Sequence, residues 1–274
     1  MSLKKDAERR YVEIELELPG TPEQIWQAMA TGAGYSAWFT PTEIEEREGG
    51  EIRFHLGPDM TSSGRVTEWR PPFRFAYEEI GWSGEAPPLA TEVVIEAASG
   101  GLCKVRMVHS LFTSRDDWDD EIAGMMDGWP AYLGILRLYL QSFAGQEGAS
   151  ARPTVRFAGS HDEAWTALRK ALSLEGAKVG DRREIALADG PRLAGAVERV
   201  AEAPRNREFT LRLDAPRPGV ALIGTYDWGG QVNVAAMLFF YGEGAQAAAE
   251  AEGARWQAWL NARFAAEAAE AKPG

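Results

Sequence analysis

The residues able to do chemistry are few and scattered. The chain has three histidines, His55, His109 and His161, and one cysteine, Cys103. The histidines show no metal-ligand spacing, so no catalytic metal is expected. His109 stands out. It falls in residues 103–112, a run with strand periodicity, and shares a face with Cys103, Val105, Met107 and Leu111. Lys104, Arg106 and Ser110 take the opposite face. An imidazole on an apolar face can anchor a ligand or act as a general base. The same pattern fits a core histidine bonded to a neighbour. No motif supplies a partner acid, so the core reading is favoured.

Asp116-Asp117-Trp118-Asp119-Asp120-Glu121 is the densest acidic run. It lacks the offsets, glycine and final bidentate glutamate of a calcium loop. It reads as a solvated helix entry, where acids favour the N-terminal dipole. The glycines form no phosphate-binding loop and no nucleophile elbow, so nucleotide chemistry and serine hydrolysis lack support and no cofactor is implied.

Aromatic residues make the second group. Trp26, Trp38, Phe39, Phe54, Phe75, Tyr77, Trp82, Trp129 and Tyr132 are candidates for lining an apolar cavity, with Met107, His109 and Leu133 beside them. A packed core without usable space explains the same residues equally well. Trp82, in Gly81-Trp82-Ser83-Gly84, reads as a gate or an exposed side chain. Trp165, Tyr226, Trp228, Phe239 and Trp256 form the analogous group in the second half.

The elements that must hold these residues occur twice. Gly20-Thr21-Pro22-Glu23-Gln24-Ile25-Trp26-Gln27-Ala28 returns as Gly159-Ser160-His161-Asp162-Glu163-Ala164-Trp165-Thr166-Ala167. Gly64-Arg65-Val66 has a counterpart in Gly195-Ala196-Val197, and Trp129-Pro130-Ala131 in Trp256-Gln257-Ala258. Each copy opens with a strand. Residues 11–18 alternate polar and apolar until Pro19-Gly20. Thr21 and Ser160 then cap helices, with Gln24 and Glu163 at the capping-box position. Gly32 and Gly34 are expected to end the first helix. Strands follow over 51–55, 64–70, 91–97 and 103–112, with Phe73, Phe75 and Tyr77 on one face of another. A long helix over about 129–143 carries an apolar stripe that includes Leu133 and Leu136. Residues 145–153 read as a linker. The second copy has strands near 183–188, 192–200, 208–213, 220–227 and 231–240, and a last helix over about 245–269.

Composition narrows the field. The 274 residues allow two domains, each large enough for its own core. A net charge of -12 disfavours nucleic acid and anionic membranes as partners. One cysteine excludes an intrachain disulfide and fits a reducing, cytoplasmic setting. Residues 1–10 carry no apolar segment of a secretory signal, and no apolar run is long enough to span a bilayer.

The order of strand, short helices, antiparallel strands and one long helix resembles the START-like, or SRPBCC, superfamily. The first copy is most similar to its branch named after the activator of the heat-shock chaperone ATPase. The resemblance rests on residues 21–28, Trp38-Phe39, Gly49-Gly50 before a strand, Gly64-x-Val66 leading to Pro71, His109-Ser110-Leu111-Phe112-Thr113, and Gly128-Trp129. It covers nearly all of 10–144. The second copy, 153–269, keeps its helix-entry and final-helix tryptophans but lacks the Trp-Phe pair and the Gly-Gly. The resemblance implies an α+β fold of two helix-grip domains, each a curved antiparallel sheet around a long C-terminal helix. It also implies a pocket for a hydrophobic small molecule or lipid in the first domain, and the lack of any catalytic constellation in the sequence points to binding without catalysis. Two other functions occur in the superfamily: a module that binds a chaperone or another protein, and a polyketide-cyclase-like enzyme, here using His109.

Overall fold

The computed structural model describes residues 3–6, 8–57, 60–82, 85–187 and 190–265, with the side chains of residues 121, 123, 125 and 126 excepted. It divides into two compact units, residues 1–148 and 149–274. Both are antiparallel sheets with few helices, an α+β architecture.

The first unit contains β1 (Lys4–Lys5), β2 (Arg10–Pro19), α1 (Pro22–Ala30), α2 (Gly32–Ser36), β3 (Thr42–Ile44), β4 (Glu51–Gly57), β5 (Met60–Arg70), β6 (Arg74–Ile80), β7 (Leu89–Ala97), β8 (Leu102–Leu111) and α3 (Asp119–Ser142). Its sheet runs β1-β2-β8-β7-β6-β5-β4-β3. The order places the strand before the first helix beside the strand before the last one. Thr21 caps α1 as read, and the Gln24 side chain returns a bond to the Thr21 backbone at 2.9 Å. Val12, Ile14 and Leu18 on β2 are buried, as their alternation requires.

Three local expectations change. Gly32 and Gly34 do not end helical structure. Instead α1 stops at Ala30, and Thr31 caps a second helix by accepting from Gly34 N at 3.0 Å. A Cβ on Gly34 would lie 1.8 Å from Gln27 O, so this glycine lets α2 press against the end of α1. Phe73 is 53% exposed in the turn before β6, not on the inward face with Phe75 and Tyr77. The long helix starts at Asp119, ten residues before Trp129, so the acidic run forms its entry. Asp119 also has a structural task there: it accepts from Arg10 Nη1 at 3.0 Å and pairs with Lys5 at 2.9 Å.

The second unit contains β9 (Gly148–Ala151), β10 (Thr154–Arg156), α4 (His161–Ala171), β11 (Arg182–Ala186), β12 (Arg192–Glu202), β13 (Asn206–Ala215), β14 (Gly219–Trp228), β15 (Gln231–Tyr241) and α5 (Ala245–Phe264). Its sheet runs β10-β15-β14-β13-β12-β11, with β9 also on β15. Residues 148–151 are therefore sheet rather than linker, because the small residues of Gly148-Ala149-Ser150-Ala151 still supply backbone hydrogen-bonding groups. The helix expected over 245–269 is present to Phe264, and residues 266–269 of that range and of the 153–269 copy lie outside the described residues. Trp165, Leu211, Leu238, Trp256 and Leu260 belong to one buried cluster with the inward faces of β12–β15.

Candidate functional site

Backbone register assembles the site in the first unit. Val12 on β2 faces His109 on β8, His109 faces Thr91 on β7, Thr91 faces Tyr77 on β6, and Tyr77 faces Val66 on β5. Side chains of directly opposed residues share a face, so these five form one row across the interior. All five are at most 3% exposed. The row on one side is apolar: Ile14, Met107, Val93 and Phe75. The row on the other side places Glu79 between Leu89 and Gly64. Polar groups are therefore confined to one end of an otherwise apolar interior.

His109 is fixed from two directions. Its Nδ1 shares a 2.9 Å hydrogen bond with Thr91 Oγ1, and its ring stacks on Trp129 of α3 with centroids 5.2 Å apart. Its Nε2 is buried and has no hydrogen-bond partner among the described residues. Burial pushes its pKa down to about 4, so the imidazole is neutral at pH 7. The Tyr77 hydroxyl interacts with those of Thr91 and Tyr35, and burial raises the pKa of both phenols. Among the described residues, the Tyr35 hydroxyl finds no hydrogen bond of normal length and angle. Glu79 is raised above the usual carboxylate range by burial, an effect opposed by the bond it accepts from Ser62 Oγ.

Most of the aromatic candidates meet around this row. Phe39 stacks on Trp129 at 5.4 Å and meets Tyr132 edge-on at 4.8 Å. Phe54 bridges Phe39 and Tyr77, at 6.0 and 5.5 Å. Trp38 packs against Phe39 and donates its Nε1 hydrogen to Ala28 O at 2.8 Å. Trp26 meets Phe75 at 6.3 Å. Met107 and Leu133 are buried in the same unit, and Phe39 and Tyr132 remain half-buried. Trp82 is half-buried in the connection after β6, where its Nε1 donates to Pro87 O at 2.9 Å.

Four polar residues at this site were not singled out in the sequence: Tyr35, Ser62, Glu79 and Thr91. The alternation Phe75, Tyr77, Glu79 carries the signal for Glu79, and Leu89, Thr91, Val93 carries it for Thr91. Nothing local marks Tyr35, since its position depends on the short helix α2. The other histidines lie elsewhere. His55 Nε2 is 3.0 Å from Glu43 on the surface, and His161 bonds Thr225 Oγ1 and Pro204 O.

Among the described residues, no group of three or more His, Cys, Asp or Glu side chains is placed to hold a metal ion, and no helix is long and apolar enough to cross a membrane.

Residues 19–141 match the family model described as activator of Hsp90 ATPase homolog 1-like protein. Comparison with curated proteins finds no match. Solved structures with similarity include CalU16 from Micromonospora echinospora, 17% identical with a TM-score of 0.42, covering 52% of this chain and 83% of that one. The Aha1 dimer from Colwellia psychrerythraea is 21% identical with a TM-score of 0.41, covering 48% of this chain and 96% of that one. The di-domain ARO/CYC BexL from the BE-7585A biosynthetic pathway is 16% identical with a TM-score of 0.44, covering 93% of this chain and 95% of that one. Residues 19–141, within the first of the two compact units, thus have an AHSA1-like fold of the SRPBCC type.

Proposed function

We propose that the first domain is a non-enzymatic binding module for an apolar small molecule or lipid, held between the sheet and α3 by the aromatic ring set and oriented by the Tyr77–Thr91–His109 row. Apolar walls bind through area removed from water, about 25 cal/mol per Å², and a few polar groups set orientation. The observation that carries the reading is His109, a neutral imidazole positioned by Thr91 and Trp129 with Nε2 left unpartnered among the described residues. An unpartnered buried acceptor or donor is costly, about 1–3 kcal/mol. A ligand group that satisfies it recovers part of that cost.

Fold maintenance does not account for the row, because the second unit forms the same ladder with apolar residues. The second domain then serves structure or association. Binding by the whole purified chain can be followed by quenching of tryptophan fluorescence, and co-purifying ligands by native mass spectrometry. The expected result is saturable binding of apolar probes that weakens on His109→Leu. The reading fails if no apolar probe binds and no ligand co-purifies.

A further inference from the structure

Resting on the reading of the first unit as a binding domain, we propose that its polar row selects an uncharged molecule bearing a hydroxyl group, an alcohol or phenol on an apolar frame, and rejects the corresponding carboxylate. The unpartnered imidazole nitrogen gives the first reason. His109 Nδ1 and Thr91 Oγ1 share a 2.9 Å hydrogen bond, and Nε2 is buried with no partner among the described residues. A neutral imidazole has one donor and one acceptor nitrogen, and a hydroxyl can both donate and accept. A hydroxyl therefore satisfies Nε2 in either tautomer, whereas an ionised carboxylate can only accept.

Charge gives the second reason. Among the described residues, the inward faces of β2 and β4–β8 carry one cation, Arg10. Its guanidinium is already taken up by Asp119 at 3.0 Å, by Ser114 O at 3.2 Å and by Arg115 O. The row next to His109 runs from this already paired Arg10 through Leu111 and Leu89 to an acid, Glu79. A carboxylate placed here loses its hydration without gaining a counter-charge, whereas a hydroxyl loses only what Nε2 restores.

Comparison of the two units gives the third. Tyr77, Glu79, Thr91 and His109 occupy positions filled by Leu211, Leu213, Ala221 and Leu238 in the second unit, as the matching Gly-x-Val pairs and ladders show. The polar set is therefore an addition to the fold, and it can be removed by substitutions the same fold already accepts.

The test measures dissociation constants of the whole chain at pH 7 for 2-naphthol, 2-naphthoate and naphthalene, and for 1-decanol and decanoate. The expected order is the hydroxyl probe tighter than its carboxylate by about tenfold or more. In the folded variant Tyr77→Leu, Thr91→Ala, His109→Leu, the advantage of 2-naphthol over naphthalene should disappear. Carboxylates binding the wild-type chain as tightly as the hydroxyl probes would overturn the selectivity while leaving the binding reading intact. If no probe binds, naphthalene included, the binding reading itself fails. The wild-type comparison stands even if the triple variant does not fold.

Discussion

The two units solve the same backbone problem with opposite interiors. In the first, the row starting at Val66 continues Tyr77, Thr91, His109. In the second, the row starting at Val197 continues Leu211, Ala221, Leu238. The ladders coincide in detail. A register shift follows Val66 and another follows Val197. A Cβ on Gly64 would lie 2.0 Å from Glu78 O, and one on Gly195 would lie 2.2 Å from Arg212 O. Phe75 packs near Trp26 of α1, and Phe209 stacks on Trp165 of α4 at 5.0 Å. Along these matched rows, what differs is the polarity of the inward side chains. The framework is thus indifferent to the polarity of this row, and the polar version needs an explanation beyond folding.

The comparison can be broken most severely at what the units share. Gly64→Val and Gly195→Val each force a branched side chain into a neighbouring carbonyl, and each should destabilise its own unit by about 4 kcal/mol or more. Chemical denaturation resolved into two transitions would check this. Loss in one unit alone would show that the two glycines do not play the same part.

The next effect separates the units by pH. The folded pKa of His109 is depressed to about 4 from an ordinary 6.5. Above pH 6.5 the imidazole is neutral in both states and its contribution to stability is fully present. As pH falls from 6.5 toward 4, the unfolded chain takes up a proton that the folded one refuses, and stability is lost. The loss approaches about 3 kcal/mol. It should appear as the difference in pH dependence between wild type and His109→Leu, measured by urea unfolding. Identical slopes in the two proteins would refute it. The corresponding row of the second unit has no titratable group.

Moving the imidazole to the other unit sharpens the contrast. Leu238→His would face Ala221 instead of a threonine hydroxyl. It should cost the second unit about 1–3 kcal/mol, read from its unfolding midpoint, and Ala221→Thr should recover part of the loss. The smallest effect is Tyr35→Phe. It removes a buried hydroxyl that has no bond of normal geometry, so thermal unfolding should shift by less than about 1 kcal/mol, in the stabilising direction if at all.

Much of this architecture could be read from sequence, because both helix entries are written in local chemistry. Thr21 with Gln24 and Ser160 with Glu163 form the capping boxes their spacing predicts. Period-two alternation located most strands. It failed where small residues make strand by backbone pairing alone, as in β9, and where a short helix depends on a tertiary contact, as Gly34 does against Gln27. The site was half legible. His109 and its aromatic neighbours announce themselves by residue type. Thr91 and Glu79 matter only because register sets them beside His109 and Leu89, and register is a non-local property.

The lone cysteine has a practical consequence. Cys103 is fully buried on β8, and its thiol points to Gly20 O at 3.3 Å, at the end of the β2–β8 pairing. The second unit has no thiol at all. Alkylation of native protein therefore serves as a stopwatch on the opening of the first unit alone, with no label to introduce. A bound ligand that holds sheet and helix together should slow that clock by the factor by which it suppresses opening.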